Sequence, residues 1–449
     1  MRYILILFCL LSASMSFSQE KVTVEKTQIL ERMLSEINSD SIRSYVETLV
    51  SFGTRHSLSE TESNIRGIGA ARRWVLSKFQ EFSAASGSRL NSELDSFTVP
   101  AGRRIPYEVE MKNVMATLPG SDPGDDRVLI ISGHLDSRVS DVMDSTSNAP
   151  GANDDASGVA LVLELARIMS KQTFPATIIF VAVAGEEQGL LGATHLADQL
   201  KKDSINVIAM FNNDMVGNSV SSETDIRDAR RMRLFSETIP AYETDQMSRM
   251  RSYTGAENDS KSRQLARFIK IVGETYQPDF EVTLNYRVDR YLRGGDHIPF
   301  TRNGFTAVRF CEMNENYLHQ HQDVRVENEI QYGDLPEYVN YNYVASIARV
   351  NLSALATLAS APYEPENVGI RLELGNISTL QWDAPDKGSK PAGYRILIRE
   401  TYESNWTTSL YTEETSIEIP YSKDNYFFAV QAVNAEGYTS LPVIPVPRR

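Results

Sequence analysis

The sequence reads GHLD at residues 133–136, GANDDASG at 151–158 and AGEEQG at 184–189. The first and third motifs directly follow apolar runs, and the second precedes a run with helical periodicity. Each motif therefore lies at the carboxyl end of a predicted strand or at the start of a predicted helix. Open α/β sheets bind their ligands at these ends. The stretch predicts an α/β sheet with a functional site along one edge.

The three motifs are rich in acid. They carry five carboxylates and one imidazole, and no Lys or Arg lies within them. Carboxylates held a few ångströms apart repel one another, and burying them without a partner is costly. A cation is the simplest partner for such a group. The motifs therefore predict a metal site, to which they contribute His134, Asp136, Asp154, Asp155, Glu186 and Glu187.

Length and composition indicate a globular protein with more than one domain. A chain of 449 residues is too long for one ordinary core, so two domains are expected. Its content of 41% hydrophobic and 23% charged residues is typical of globular proteins. The formal net charge of −14 argues against nucleic acid and anionic membrane surfaces as partners.

The amino terminus has the pattern of a secretory leader. Arg2 precedes an apolar run at residues 4–11, and small residues continue to Ser18. We therefore expect a signal peptide at 1–18 and an exported protein, either periplasmic or secreted. No later run approaches ~20 apolar residues, so no membrane span is expected. Once the leader is removed, Cys311 is the only cysteine; it cannot form an intrachain disulfide, and its apolar neighbours predict burial.

Strands alternate with helices through the predicted catalytic domain at 19–360. This order predicts a doubly wound, mostly parallel sheet with helices on both faces. Residues 218–260 are polar with weak periodicity, which indicates an excursion over the site rather than core. After a linker at 361–366, short alternating strands separated by Gly, Pro, Asn and Asp predict a small all-β sandwich at 364–449.

The acidic motifs belong to a longer series. Asn213-Asp214-Met215 and a late His319-x-x-x-Asp323 follow them in the chain. In this order the motifs resemble those of the M28 family of zinc aminopeptidases, over about residues 60 to 360. The resemblance implies a zinc exopeptidase fold, two zinc ions per chain, and peptide substrates with a free amino terminus.

The resemblance also implies which residues bind the two ions. His134 and Asp214 would bind one zinc, Glu187 and His319 the other, and Asp154 would bridge them. The residue types suit this assignment independently, because zinc accepts imidazole nitrogen and carboxylate oxygen. A pair of zinc ions would supply an activated water at neutral pH.

Two further residues carry catalytic roles by the same resemblance. Glu186 would be the general base, next to a ligand without being one. Asp136 would orient the ring of His134 from behind, as carboxylates near ligating histidines do. Three tyrosines are candidate oxyanion donors, and the sequence does not choose between them: Tyr286, Tyr291 and Tyr317.

The late histidine is open between two residues. His319 and His321 lie on the same side of an extended segment, so strand alternation does not separate them. His319 is preferred because the resemblance places the ligand four residues before an Asp, here Asp323. His297 also lies in a segment that resembles the family; substrate contact, support of a ligand and simple packing all remain open for it.

The carboxyl-terminal segment resembles a fibronectin type III domain, with Trp382 as its buried aromatic and 426–434 as its tyrosine-bearing strand. A spacer or docking module is expected there. The whole chain predicts an exported aminopeptidase with a di-zinc site. One alternative is a glutaminyl cyclase, because the segment 296–300 resembles the corresponding segment of those enzymes. That resemblance implies one zinc ion per chain rather than two. The other is a non-catalytic peptide-binding or adhesion protein.

Overall fold

The computed structural model describes residues 22–224 and 226–448. The predicted signal peptide lies outside the described residues. The helices of this part of the chain are α1 (Gln28–Ser35), α2 (Ser39–Ser51), α3 (Gly67–Ala85), α4 (Ala156–Met169), α5 (Leu191–Lys202), α6 (Asp245–Thr254), α7 (Lys261–Tyr276), α8 (His297–Arg302) and α9 (Tyr341–Ser360), with a 3₁₀ turn at Pro336–Tyr338. None of the helices described is both long and apolar enough to cross a bilayer.

The strands form one large sheet, two smaller sheets and a short hairpin. Strands up to residue 312 are β1 (Asn91–Val99), β2 (Val109–Leu118), β3 (Arg127–His134), β4 (Thr177–Val183), β5 (Asn206–Asn213), β6 (Arg231–Ser236), β7 (Glu281–Asn285) and β8 (Ala307–Glu312). Later strands are β9 (Arg325–Glu327), β10 (Ile330–Tyr332), β11 (Glu366–Arg371), β12 (Ser378–Asp383), β13 (Gly393–Glu400), β14 (Thr408–Thr412), β15 (Ser416–Ile419), β16 (Tyr426–Val433) and β17 (Val446–Arg448).

The main sheet has eight strands in the order β1-β2-β4-β3-β5-β8-β6-β7. Its four central strands, β4, β3, β5 and β8, run parallel to one another, while β2 and β6 join them antiparallel. The predicted α/β fold class is confirmed, and the sheet is mixed. β1 pairs with β2 antiparallel. The connection between these two strands is too short for a parallel pair, which needs a crossover of a dozen or more residues.

Helices cover both faces of this sheet, as the alternation of side chains along β3 shows. Leu129 and Ile131 pack into a large core that includes α4, α7 and α9. Ile130, between them, packs into a second core on the opposite face with residues of α5. Successive residues of a strand point to opposite faces, so a strand buried on both sides is apolar at consecutive positions.

The prediction for residues 218–260 is wrong for part of that stretch. β6 lies within the main sheet, between β8 and β7, and its Met232, Leu234 and Phe235 are buried. The arginines of β6 make its alternation of buried and exposed residues hard to recognise in the sequence. One of them, Arg233, pairs with Glu315 at 2.8 Å. Six residues with polar flanks give too weak a period to separate a strand from a loop.

The chain after residue 361 forms a sandwich of two sheets, in the orders β15-β12-β11-β17 and β14-β13-β16. Side chains from both sheets share one core, which includes the predicted Trp382 together with Leu380, Ile396 and Val430. The sandwich packs directly on the α/β part. Arg127 of β3 donates to the carbonyl oxygens of residues 361 and 362 at 2.8 and 3.0 Å.

A buried acidic side chain, Asp259, is one link between the α/β part and the sandwich. Asp259 lies 2.8 Å from Arg267 of α7 and 2.8 Å from Arg399 of β13, and all three side chains are buried. Both guanidinium groups also lie near the ring of Trp406, at 5.8 and 5.3 Å from its centroid. Two buried cations therefore share one buried anion.

We expect Asp259→Asn to destabilise the protein by about 3–5 kcal/mol, the usual cost of leaving a buried ion without its partner. The measurement is the midpoint of urea unfolding. Lys387→Gln is the matched control, because its ion pair with Asp126 also joins the two parts but is exposed. Equal shifts of the unfolding midpoint in the two variants would show that the buried cluster contributes no more to stability than the exposed ion pair.

Candidate metal centre

Three neighbouring parallel strands bring the acidic motifs to one edge of the sheet. β3 ends at His134, β4 leads into Glu186 and Glu187, and β5 leads into Asp214. Because β4, β3 and β5 are adjacent and parallel, their carboxyl ends lie side by side. The helix α4 begins beneath this edge, and the loop before it carries Asp154.

Two sets of three side chains converge at this edge. In the first, Nε2 of His134 lies 3.0 Å from Oδ1 of Asp154 and 3.8 Å from Oδ1 of Asp214. In the second, Nε2 of His321 lies 2.9 Å from Oδ2 of Asp154 and 2.9 Å from Oε1 of Glu187. The ligand atoms of each set lie within 4.8 Å of one another. Asp154 thus turns one carboxylate oxygen toward each histidine.

The structure does not bring the preferred late histidine, His319, to the two ligand sets; it brings His321 there instead. The residues around 316–321 form a turn and not an extended segment, with the His319 and Gln320 amides both donating to the Asn316 carbonyl oxygen. His321 adopts a left-handed backbone with φ 55°. The His319 ring stacks on Tyr338 instead, with 3.8 Å between ring centroids. Asp323, the basis of that preference, accepts a hydrogen bond from the Ser140 amide.

The carboxylates hold both histidines in their protonated form. Burial lowers the pKa of His321, but Glu187 and Asp154 outweigh it and raise that pKa to about 10. Burial likewise opposes the charge of His134, and Asp154 and Asp214 hold its pKa well above the usual value. A metal that binds these nitrogens must therefore displace protons.

The donor set fits divalent zinc. Each set offers one imidazole nitrogen and two carboxylates, which are ligand types that zinc accepts, and neither set is complete at four protein ligands. A carboxylate group with one oxygen on each side can serve both sets at once. His134, Asp154 and Asp214 would hold one ion, and Asp154, Glu187 and His321 the other.

Asp136 supports the site through both its main chain and its side chain. Its carbonyl oxygen lies 3.0 Å from Nδ1 of His134, while its carboxylate lies 3.8 Å from the same nitrogen. The carboxylate instead accepts the amides of Glu186 and Glu187 at 3.1 and 3.0 Å. Burial raises the pKa of Asp136. Its contact with the ring of His134 is therefore made mainly by the peptide group.

Two further acids hold the loop that carries Asp154: Asp155, which the motifs predicted at the metal site but which belongs to neither ligand set, and Asp334, which lies outside the motifs. Asp334 accepts the amides of Asn153 and Asp154, the latter at 2.7 Å. Asp155 caps α4 by accepting the amide of Gly158, and it also accepts the amide of His134 at 2.8 Å. A Cβ at Gly158 would overlap the carbonyl oxygen of Asn213, so this position requires glycine.

A buried arginine supports Asp214, and sequence reasoning missed it. Arg309 lies 2.9 Å from Oδ1 of Asp214 and 2.8 Å from Asp289. Burial would raise the pKa of Asp214, but Arg309 and then His134 outweigh it and lower that pKa. A charged residue in the middle of the apolar strand β8 is the signal that could have found it.

Several other predicted residues lie apart from the two ligand sets. His297 is buried, and its ring donates a hydrogen bond to the Val288 carbonyl oxygen at 2.6 Å. Of the roles that the sequence left open for it, this contact agrees with packing. Its neighbour Asp296 is fully buried near the site, with no hydrogen-bond partner for its carboxylate among the residues described, and burial raises its pKa to about 8. None of the three candidate tyrosines lines the pocket at the site, and Tyr286 donates to the Ser404 carbonyl oxygen.

An open pocket of about 440 Å³ leads to the two ligand sets. We call its acidic and imidazole lining the inner wall: Asp154, Glu186, Glu187, Asp214 and His321. We call the rest of its lining the outer wall, which consists of four arginines, two leucines and two glycines: Arg104, Arg138, Arg290, Arg293, Leu190, Leu292, Gly189 and Gly294. Residues 290–294 therefore form one wall, and no residue of 218–260 that the structure describes lines it.

Comparisons with known proteins agree with this geometry. A family model described as Peptidase family M28 matches residues 113–336. A probable zinc metalloprotease of Leptosphaeria maculans is 44% identical over 93% of this chain and 97% of its own length. One from Pyricularia oryzae is 45% identical over 93% of this chain and 84% of its own length. In fold, the chain is similar to the LapA aminopeptidase of Legionella pneumophila, with TM-score 0.53 and 21% identity over 77% of this chain and 78% of LapA.

The fold and the two ligand sets together define a zinc metalloprotease with a mixed α/β sheet. The metal-binding residue types lie at the carboxyl edge of that sheet, inside the matched stretch. The chain belongs to peptidase family M28, which confirms the predicted resemblance.

We expect Asp136→Asn to weaken zinc binding by about 10- to 100-fold, the usual effect of removing support behind a ligand. An amide oxygen and an NH₂ group cannot both accept the amides of Glu186 and Glu187. The measurement is zinc titration against a competing chelator. The control is Asp95→Asn, which should leave zinc affinity unchanged. Asp95 lies on β1, and its carboxylate is 3.1 Å from the ring of His195 on α5.

Zinc binding at pH 7 should release at least one proton from His321, since its pKa in the metal-free protein is about 10. Affinity should consequently fall as pH falls. Calorimetry in buffers of different ionisation enthalpy measures the released protons. His321→Ala should lower the number of protons released by about one and leave the release at His134, whereas His319→Ala should leave the number unchanged. The opposite pattern would restore His319 as the ligand.

Proposed function

We propose that this chain is a zinc aminopeptidase that removes the amino-terminal residue of peptides with two metal ions per chain. The observation that carries the proposal is Asp154, which lies 3.0 Å from His134 with one oxygen and 2.9 Å from His321 with the other. A carboxylate placed this way supports two adjacent ions. The membership of family M28 supports a peptide substrate.

The chain would use zinc through the residues already described. When bound, zinc supplies Lewis acid chemistry, which polarises the scissile carbonyl and lowers the pKa of a water. His134, Asp154 and Asp214 would hold one ion; Asp154, Glu187 and His321 would hold the other. Asp136 would keep the ring of His134 and the turn at Glu186 in place.

Glu186 would move the proton. It lines the pocket beside Glu187 but belongs to neither ligand set. Burial raises its pKa well above the usual value, and Asp214 and Glu187 contribute in the same direction. A carboxyl group with a raised pKa can take a proton from water and deliver it to the leaving amine.

The inner wall of the pocket supports recognition of a free amino terminus. It presents four carboxylates and no Lys or Arg. An α-ammonium group would find acceptors of opposite charge there, while a blocked terminus would not. Two solved structures of similar fold are described as aminopeptidases: LapA and an enzyme of Aneurinibacillus, with TM-scores of 0.53 and 0.52.

Two accompanying features are part of the same proposal. The leader at 1–18 would direct the protein out of the cytoplasm, to the periplasm or the medium. The sandwich would be a fibronectin type III-like module, since its described strands form two sheets and side chains from both sheets share a core around Trp382. Its role would be to support the catalytic part or to dock it.

The test is hydrolysis of aminoacyl-nitroanilides before and after chelation, together with elemental analysis of the purified protein. We expect two metal ions per chain and turnover that chelation abolishes and zinc restores. Stoichiometry of one ion with cyclisation of amino-terminal glutamine would favour the glutaminyl cyclase. Peptide binding without turnover would favour the binding protein.

A pair of variants tests the division of roles. Glu186→Gln should keep its metal and lose about 10²- to 10⁴-fold in kcat, the usual contribution of a general base. Asp154→Ala should lose metal as well as activity. Equal loss of metal in both variants would contradict the assignment of Glu186 as the proton carrier.

A further inference from the structure

The outer wall of the pocket carries more positive charge than the structure neutralises. Of its four arginines, Arg290 is paired, at 3.0 Å from Glu315 and 3.2 Å from Asp289. The other three are Arg104, Arg138 and Arg293, and we call them the arginine rim. They surround an opening whose apolar lining consists of two leucines.

The arginine rim is held in place mainly by uncharged partners. Arg104 donates to the main-chain oxygen of Glu187 at 2.7 Å. Arg138 donates to the carbonyl oxygens of Val139 and Ser140, and its nearest carboxylate oxygen, on Glu187, is 4.0 Å away. The side chain of Arg293 is exposed and has no hydrogen-bond or ion-pair partner within the described chain. Guanidinium groups in this state are free to bind an anion.

We propose that the arginine rim binds a carboxylate of the substrate, so that the enzyme prefers anionic peptides. This inference rests on the proposed function and names its substrate class. Arg presents a planar set of donors that matches a carboxylate in a bidentate manner. A pocket for large aliphatic side chains would be lined mostly by apolar residues, and this one is not.

The carboxylate has two possible sources. It is the carboxyl terminus when the peptide is short enough for both ends to lie in the pocket. It is a side chain when Glu or Asp occupies the first position. In both cases the ammonium group would face the acidic inner wall and the carboxylate the arginine rim, a few ångströms farther out.

The experiment compares two pairs of peptides that differ only in this charge. Leu-Leu against Leu-Leu amide tests the terminal carboxylate, and Glu-Leu amide against Gln-Leu amide tests the side chain. We expect the charged member of at least one pair to have a kcat/KM roughly fivefold higher or more, mainly through KM, as one partly exposed ion pair provides. The pair that responds identifies the source.

Variants of the rim then test the assignment. Arg293→Gln should reduce the preference, and Arg138→Gln/Arg293→Gln should abolish it, where the preference is the ratio of kcat/KM within each pair of peptides. Arg287→Gln is the matched control, because Arg287 is exposed in the same segment, stacks on Tyr291 and does not line the pocket. A preference that survives the double variant, or that Arg287→Gln also removes, would overturn the inference.

Binding separates this inference from the proposed function. Calorimetry on the zinc-loaded Glu186→Gln variant measures Kd for the same four peptides without turnover. Tighter binding of a charged peptide, lost in the rim variants, supports the inference even if the wild type hydrolyses none of them. Hydrolysis of all four peptides with equal kcat/KM and equal Kd would leave the aminopeptidase standing and reject the arginine rim.

Discussion

The position of Asp154 between two histidines is the constraint on which the site depends. A carboxylate can face both only if its loop is held firmly, and the structure supplies both an acceptor and a donor for the main chain of this loop. Asp334 accepts the amides of Asn153 and Asp154. Arg55, fully buried, donates to the carbonyl oxygens of Pro150 and Gly151 at 2.6 and 2.9 Å and to that of Leu135 at 2.8 Å. The loop before α4 is thereby tied to the loop after β3, so the two carry their ligands in a common frame.

Adjacent acids in this site have opposite tasks, because the chain can turn one inward and the next away. Asp154 faces the histidines, whereas Asp155 caps α4 and accepts the amide of His134. Glu187 belongs to a ligand set, whereas Glu186 borders the pocket outside both sets. Burying an unpaired carboxylate is costly, and the two motif acids that face away from the centre, Asp136 and Asp155, both accept main-chain amides. These contacts explain why the motifs are dense in acid while only some of their members can bind metal.

Much of the fold could be predicted from the sequence, because buried parallel strands such as 128–131 are apolar at every position and the acidic motifs lie at their ends. Four of the proposed ligands, His134, Asp154, Glu187 and Asp214, follow from the same pattern together with the family resemblance. His321 does not, since its choice over His319 depends on a turn whose formation requires contacts distant in sequence. The role of Asp334 could not be predicted for a similar reason, because its hydrogen-bond partners lie about 180 residues earlier in the chain. Arg309 is visible in the sequence as a charged residue within an apolar strand. Its role as the partner of Asp214 follows only from the structure.

The sandwich contacts the segment that lines the pocket, although none of its side chains that the structure describes lines the pocket itself. The hydroxyl group of Tyr286 donates to the Ser404 carbonyl oxygen at 2.9 Å, and its ring lies 3.7 Å from the guanidinium group of Arg263. Four residues later the same segment forms the outer wall of the pocket, where Arg309 holds the carbonyl oxygen of Gly294 at 2.9 Å. The wall segment is therefore fixed at one end by the sandwich and at the other by the arginine that also binds Asp214. Because both anchors act on one short segment, the geometry of the outer wall depends on the contact with the sandwich as well as on Arg309 and Asp214, and the sandwich is part of what shapes the pocket.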